Sequence, residues 1–150
     1  MSQSEVGKYT LDDDRSRLDF GRVHGWLASS YWSPGISRER VERAARQSAL
    51  VLGAYLGREQ VAYLRVISDG VRFAYLCDVW VDEGHRGHGL GRAMLRRALD
   101  HPDLAVDAWF LATKDAHGVY AALGFGPLAE PHRWMTRKPD SPPSSACCAS

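Results

Sequence analysis

A single mixed α/β domain is the fold class that this sequence predicts, and three observations predict it. Strand-like apolar runs alternate along the chain with stretches of helical period. One such run, Phe73 to Val81, passes into the glycine loop Arg86-Gly87-His88-Gly89-Leu90-Gly91 and then into the amphipathic stretch Leu90 to Leu99. A length of 150 residues with 45% hydrophobic content is enough to bury one core. The domain is read as residues 1–138, and the Pro/Ser/Ala-rich residues 139–150 as a disordered tail.

Each element follows from local pattern. Residues 1–8 read as loose, and Tyr9 to Phe20 holds a first strand interrupted by Asp12-Asp13-Asp14. Val23 to Tyr31 reads as a short helix. After the loop Trp32-Ser33-Pro34-Gly35-Ile36, Ser37 is placed to cap a second helix from Arg38 to Ser48, with Val41, Ala44 and Ala45 on one side. Leu50 to Leu56 and Val61 to Ile67 form a hairpin around Gly57-Arg58-Glu59-Gln60, and Ser68-Asp69-Gly70 turns the chain into the strand Phe73 to Val81. Trp109 to Thr113 reads as a short buried strand, Asp115 to Leu123 as a helix and Trp134 to Arg137 as a last strand.

Composition narrows the function classes. A net charge of +1 offers nothing to nucleic acid or to an anionic membrane. No apolar run reaches the roughly eighteen residues of a membrane span, and the N-terminus lacks the basic-then-apolar order of a signal peptide. Cys77 stands alone, Cys147 and Cys148 lie in the tail, and no metal or disulfide spacing is present. A reducing cytoplasm is therefore the simplest home. The last four residues formally fit a prenylation box, but no basic run precedes them, and the match is set aside. His85 and His88 lack a third ligand nearby, so they read as solvated side chains and no metal is expected.

The glycine loop carries the chemistry. Glycines at positions 87, 89 and 91 let main-chain N–H groups converge without Cβ interference, and a helix start adds unpaired donors and a positive dipole end. Such a corner suits a phosphate or diphosphate, although a glycine-rich turn can also simply join strand to helix. A Walker loop is excluded because no lysine occurs between Lys8 and Lys114. A dinucleotide fingerprint fails because its third glycine would fall on Arg92. The pattern that fits is Arg/Gln-x-x-Gly-x-Gly/Ala, met at Arg86, Gly89 and Gly91.

That pattern resembles the diphosphate loop of the GCN5-related N-acetyltransferases (GNAT). A second signature, Tyr120-Ala121-Ala122-Leu123-Gly124-Phe125, with Ala116 one turn earlier, is similar to the family's Tyr-x-x-x-Gly-Phe. The run Trp26-Leu27-Ala28-Ser29-Ser30-Tyr31-Trp32 resembles the start of a widespread bacterial branch. The resemblance implies a mostly antiparallel mixed sheet with helices on both faces. The sheet splays between its fourth and fifth strands, here Phe73–Val81 and Trp109–Thr113. Acetyl-CoA then serves as acyl donor, with no metal, and the acceptor is a primary amine of a small molecule that attacks directly in a ternary complex. A homodimer is common among look-alikes. The rival class is a non-catalytic sensor that binds acyl-CoA on the same fold.

The resemblance also implies roles. Val79, Trp80 and Val81 would pair with the pantetheine amides, and Val79 or Trp80 N–H would face the oxyanion. Arg86, Gly87, His88, Gly89, Leu90, Gly91 and Arg92 would hold phosphates, with Lys114 a further candidate. Tyr120 would protonate the leaving thiolate, and His117 could tune it. Asp78 would act as base through a water or bind the amine's charge. The family's paired Glu-Asp reads Cys77-Asp78 here, which removes one carboxylate. Thr113 stands where the family commonly has Asn and could cap a helix or bond the pantetheine. Trp26, Ser30, Tyr31 and Trp32, with Asp78, would wall the acceptor pocket; ordinary aromatic packing is the plainer reading of the rings.

Overall fold

In the computed structural model, which describes residues 2–141, a six-stranded sheet runs in the order β1-β2-β3-β4-β5-β6. Its strands are β1 Gln3–Val6, β2 Tyr9–Asp12, β3 Leu50–Leu56, β4 Glu59–Ser68, β5 Phe73–Val81 and β6 Ala108–Phe110. Every neighbouring pair is antiparallel except β5 and β6, which are parallel. The helices are α1 Phe20–Ala28, α2 Arg38–Gln47, α3 Leu90–Leu99 and α4 His117–Ala121. Two compact units make up the chain, one ending at Leu111 and the other beginning at Ala112.

Helices α1 and α2 pack on one face of the sheet in the first unit. Val23, Leu27, Val41 and Ala45 meet Val51 and Tyr63 there, all buried. Successive strand residues point to opposite faces, so Leu52, Leu64 and Val66 face the other side, where α3 packs through Leu90, Met94, Leu95 and Ala98. Capping sets the helix starts. The Ser37 side chain accepts from Arg40 N–H, as predicted, and Asp19 accepts from Arg22 N–H. That aspartate starts α1 three residues before the expected Val23. Ser29 and Ser30 end it at Ala28, short of Tyr31, by donating hydroxyls to Trp26 and Leu27 carbonyls at 2.8 and 2.6 Å.

Several expectations are corrected. Residues 3–6 form a strand, although they are too polar to announce one. Their hairpin turns at Gly7, whose φ is +57°, and Arg97 of α3 holds them by donating to Ser4 Oγ at 3.0 Å, to Leu11 O and to Ser2 O. The strand expected through Phe20 stops at Asp12, because a 3-10 turn capped by Asp14 follows at Arg15–Arg17. The β3–β4 hairpin turns more tightly than expected, at Gly57-Arg58 alone. The strand expected over Trp109–Thr113 is Ala108–Phe110.

In the second unit the helix expected over Asp115–Leu123 shortens to His117–Ala121. Thr113 Oγ1 accepts from Ala116 N–H at 3.1 Å before it, and Gly124, at φ +94°, follows it. No strand forms over Trp134–Arg137. A 3-10 turn at Pro131–Arg133 precedes the segment, and Met135 is 96% exposed, with no ladder to join. The tail beyond Ser141, including Cys147, Cys148 and the prenylation-like end, lies outside the described residues. No helix among the described residues is long and apolar enough to cross a membrane.

Candidate functional site

The sheet opens where resemblance to the family predicted. Strand β6 pairs with Phe73, Ala74 and Tyr75, so among the described residues β5 from Leu76 to Val81 has a ladder on its β4 side alone. The extra N-terminal strand moves this opening from the fourth and fifth strands to β5 and β6. A bulge lies within the opened stretch. Arg65 faces Cys77 and Tyr63 faces Trp80, so Asp78 and Val79 together oppose Leu64. Asp78 takes up the extra residue at φ +56°, the one left-handed non-glycine residue among those described. An L-residue there is costly unless its surroundings hold it.

Beyond Val81 the chain bends through a 3-10 turn at Glu83–His85 into the glycine loop. Gly87 and Gly89 take φ of +83° and +74°, and Gly89 caps α3 with no side chain to offer its N-terminal amides. Among the described residues, the N–H groups of Gly87 through Arg92 find no acceptor. A Cβ added at Gly87 or Gly89 would meet nothing within 4 Å, so open space lies over the loop. At Gly91 it would meet Val81 Cγ2 at 3.5 Å, an ordinary contact. Unpaired donors at the positive end of a ten-residue helix, beneath open space, fit a diphosphate.

The loop's side chains are partly engaged. Arg86 Nε donates to Val81 O at 2.9 Å and its guanidinium lies 5.5 Å over the Trp80 ring, so Arg86 ties the loop back to the strand end. His85 Nδ1 is 2.9 Å from the Tyr9 hydroxyl, and the His88 ring also lies by Tyr9. No group of three or more possible metal ligands gathers among the described residues.

On the face bearing α1 and α2, Trp32 reaches Asp78 from the loop between those helices. Its indole Nε1 donates to Asp78 Oδ1 at 2.9 Å, while Arg65 Nε donates to Asp78 Oδ2 at 2.6 Å. The Arg65 and Asp78 side chains are only 17% and 12% exposed. Burial pulls the Arg65 guanidinium pKa down, but the facing Asp78 carboxylate lifts it above its usual value, so the arginine stays charged. Burial likewise pushes the Cys77 thiol up to about 11 and raises the Tyr63 phenol. Trp32 packs against Tyr31 and Trp80 at centroid distances of 5.0 and 6.0 Å. Trp80 Nε1 is buried and has no acceptor among the described residues.

Not every expected acceptor residue joins this group. Trp26 packs instead on the core under α1 and α2, with the Arg22 guanidinium 5.2 Å over its ring. Ser30 is buried and bonds within its own turn to Leu27 O and Ser33 Oγ. Arg65 was missed, yet a signal existed: in the alternation Val61-Tyr63-Arg65 it falls on a face that should be covered, where a charge needs a partner.

The second unit holds the remaining candidates. Tyr120 lies in α4 with its ring against Phe125 at 6.0 Å, and Phe125 N–H donates to Tyr120 O at 3.1 Å. The Tyr-x-x-x-Gly-Phe signature is thus a local packing unit closed by Gly124.

Comparison with known proteins agrees with this geometry. The profile of the acetyltransferase (GNAT) family matches residues 13–125. A Xanthomonas campestris protein assigned to the GNAT acetyltransferases has a crystal structure that superposes with a TM-score of 0.85 at 40% identity. The match covers 89% of this chain and 95% of that one. A Deinococcus radiodurans structure, named as an acetyltransferase, superposes at 0.72 with 19% identity over 92% and 93% of the two chains, a likeness of fold. A Gibberella zeae protein, also named as an acetyltransferase, is 30% identical over 110 residues. The match covers 60% of this chain and 62% of the relative, so the chain spans less than two thirds of that protein.

Proposed function

The chain belongs to the acetyltransferase (GNAT) family, and from that premise we propose that it moves the acetyl group of acetyl-CoA to a primary amine of a small molecule by direct attack in a ternary complex. The observation that carries the reading is the run of unpaired N–H groups from Gly87 to Arg92 beside the unpaired half of β5. One surface suits a diphosphate and the other an amide-bearing arm, and the two are continuous in the chain.

In this reading the main chain of Val79, Trp80 and Val81 binds the pantetheine amides, and Val79 or Trp80 N–H stabilises the oxyanion. Gly87, His88, Gly89, Leu90, Gly91 and Arg92 grip the diphosphate through N–H groups, with Arg86 bracing the loop. Thr113 and Lys114 stand as further donor-binding residues on motif position. Tyr120, on its motif position, gives a proton to the leaving thiolate. A phenol of pKa ~10 is a weak acid for a thiol of ~8.5, so positioning must supply the advantage. Asp78 receives the amine, with Trp32 and Tyr31 as the wall. The Asp78 Oδ1 and Oδ2 already accept from Trp32 Nε1 and Arg65 Nε. The same reading takes the protein as cytoplasmic.

The rival, a non-catalytic acyl-CoA sensor, draws support from that same occupied carboxylate. Acetyl-CoA consumption with a panel of small amines separates the two. The enzyme reading expects thiol release with at least one amine and, in Tyr120→Phe, a kcat lowered by roughly 10²-fold or more. Saturable CoA binding with no thiol release for any amine overturns it in favour of the sensor.

A further inference from the structure

Arg65 has no role so far beyond its charge, yet its contacts give it one. Its Nε donates to Asp78 Oδ2 at 2.6 Å and its Nη1 to Ser48 Oγ at 3.3 Å, the residue that closes α2. Ser48 is itself anchored, its hydroxyl donating to Ala44 O at 2.7 Å and its carbonyl accepting from Arg15 Nη2 at 2.7 Å. The guanidinium fork is therefore fixed at one end by the helix terminus and presents the other to Asp78. A left-handed aspartate at a bulge is strained, and the single bond from this anchored guanidinium to Oδ2 holds its carboxylate in one orientation. That orientation leaves Oδ1 facing the Trp32 indole N–H at 2.9 Å.

We propose that Arg65 is the positioning residue of the acceptor site: by clamping Asp78 it sets Trp32, to which it makes no hydrogen bond, and with Trp32 the aromatic wall. Trp32 is 41% exposed, and its indole N–H bond to Asp78 ties down a wall whose ring also packs on Trp80. The other ionisable groups coupled to the carboxylate are Tyr63 from β4 and Cys77 and Tyr75 from β5. None of them donates a hydrogen bond to it among the described residues. The proposal deepens the acetyl-transfer reading and rests on it for its kinetic arm alone.

The test uses the tryptophan indole N–H resonances of the full chain, with the five tryptophans assigned by substitution. Asp78→Asn sets the size of the Trp32 displacement when the carboxylate is lost. Arg65→Gln is expected to displace the Trp32 resonance by at least half that amount, leaving those of Trp109 and Trp134 in place. If Arg65→Gln does not fold, Arg65→Lys, which keeps the buried charge but not the fork, is expected to displace it in the same direction by less. In kinetics both variants raise the acceptor KM by about tenfold or more with the donor KM unchanged, and Lys restores part of the loss. A Trp32 resonance unmoved in every Arg65 variant that folds, while Asp78→Asn moves it, overturns the proposal. Absence of acetyl transfer to any amine would refute the enzyme reading and leave the resonance test standing.

Discussion

Gly89→Ala isolates the loop's backbone geometry from its chemistry. Gly89 caps α3 at φ +74°, and a Cβ there would meet nothing within 4 Å, so the substitution introduces no clash. What it introduces is the left-handed penalty of an L-residue, about 1–2 kcal/mol. That penalty has two places to go. If the fold holds the loop in place, stability falls by the full amount, and each 1 kcal/mol lowers Tm by roughly 2–4 °C at this chain length. If the loop relaxes instead, its binding-competent form is a minor state and the apparent Kd for CoA rises about 5- to 30-fold. The two losses together should sum to about 1–2 kcal/mol. Gly91→Ala is the control: its Cβ meets Val81 Cγ2 at an unstrained 3.5 Å inside a helix, where alanine is favoured by about 0.5–1 kcal/mol. Thermal unfolding and calorimetric titration with CoA measure both variants. A Gly89→Ala protein as stable and as tight-binding as the parent, or one no worse than Gly91→Ala, refutes the reasoning.

Other outcomes follow from single contacts. Ser37→Ala removes the cap on α2 and should cost about 1 kcal/mol in urea unfolding with CoA binding untouched. Trp32→Phe keeps a ring but loses the N–H on Asp78, so the acceptor KM should rise severalfold in steady-state assays while the donor KM holds. Burial keeps the Cys77 thiol protonated up to about 11 in the folded chain against 9.0 ordinarily. Its contribution is thus complete below pH 9.0 and is lost as pH climbs toward 11. Urea unfolding at rising alkaline pH should show that loss reduced in Cys77→Ala.

What the sequence made legible was local. Ser37 announces α2 because a cap and its helix are neighbours in the chain, and the glycine loop announces itself because φ > 0 demands residues of that kind. The aromatic run reads as a pocket wall; of its residues Trp32 bonds Asp78, while Trp26 and Ser30 make other contacts. Helical period alone could not separate them, because the helix ends at Ala28 through side-chain bonds from Ser29 and Ser30. The hidden features are those built by distant partners. Strand β1 is polar and is held by Arg97, 93 positions away in the chain. The Arg65–Asp78 pair depends on a bulge that shifts register by one residue, which no pattern of apolar alternation reports. The apparent strand at Trp134–Arg137 had the right residue types, but strands need a partner as well as a propensity.

The account turns on the main-chain amides of the glycine loop. A titration of ¹⁵N-labelled protein with acetyl-CoA, following the backbone N–H resonances, reads them directly. Saturable shifts concentrated on Gly87 through Arg92, with smaller ones along Leu76 to Val81, are the predicted result. Saturable binding that leaves those amides unmoved, or no binding at all, would contradict it.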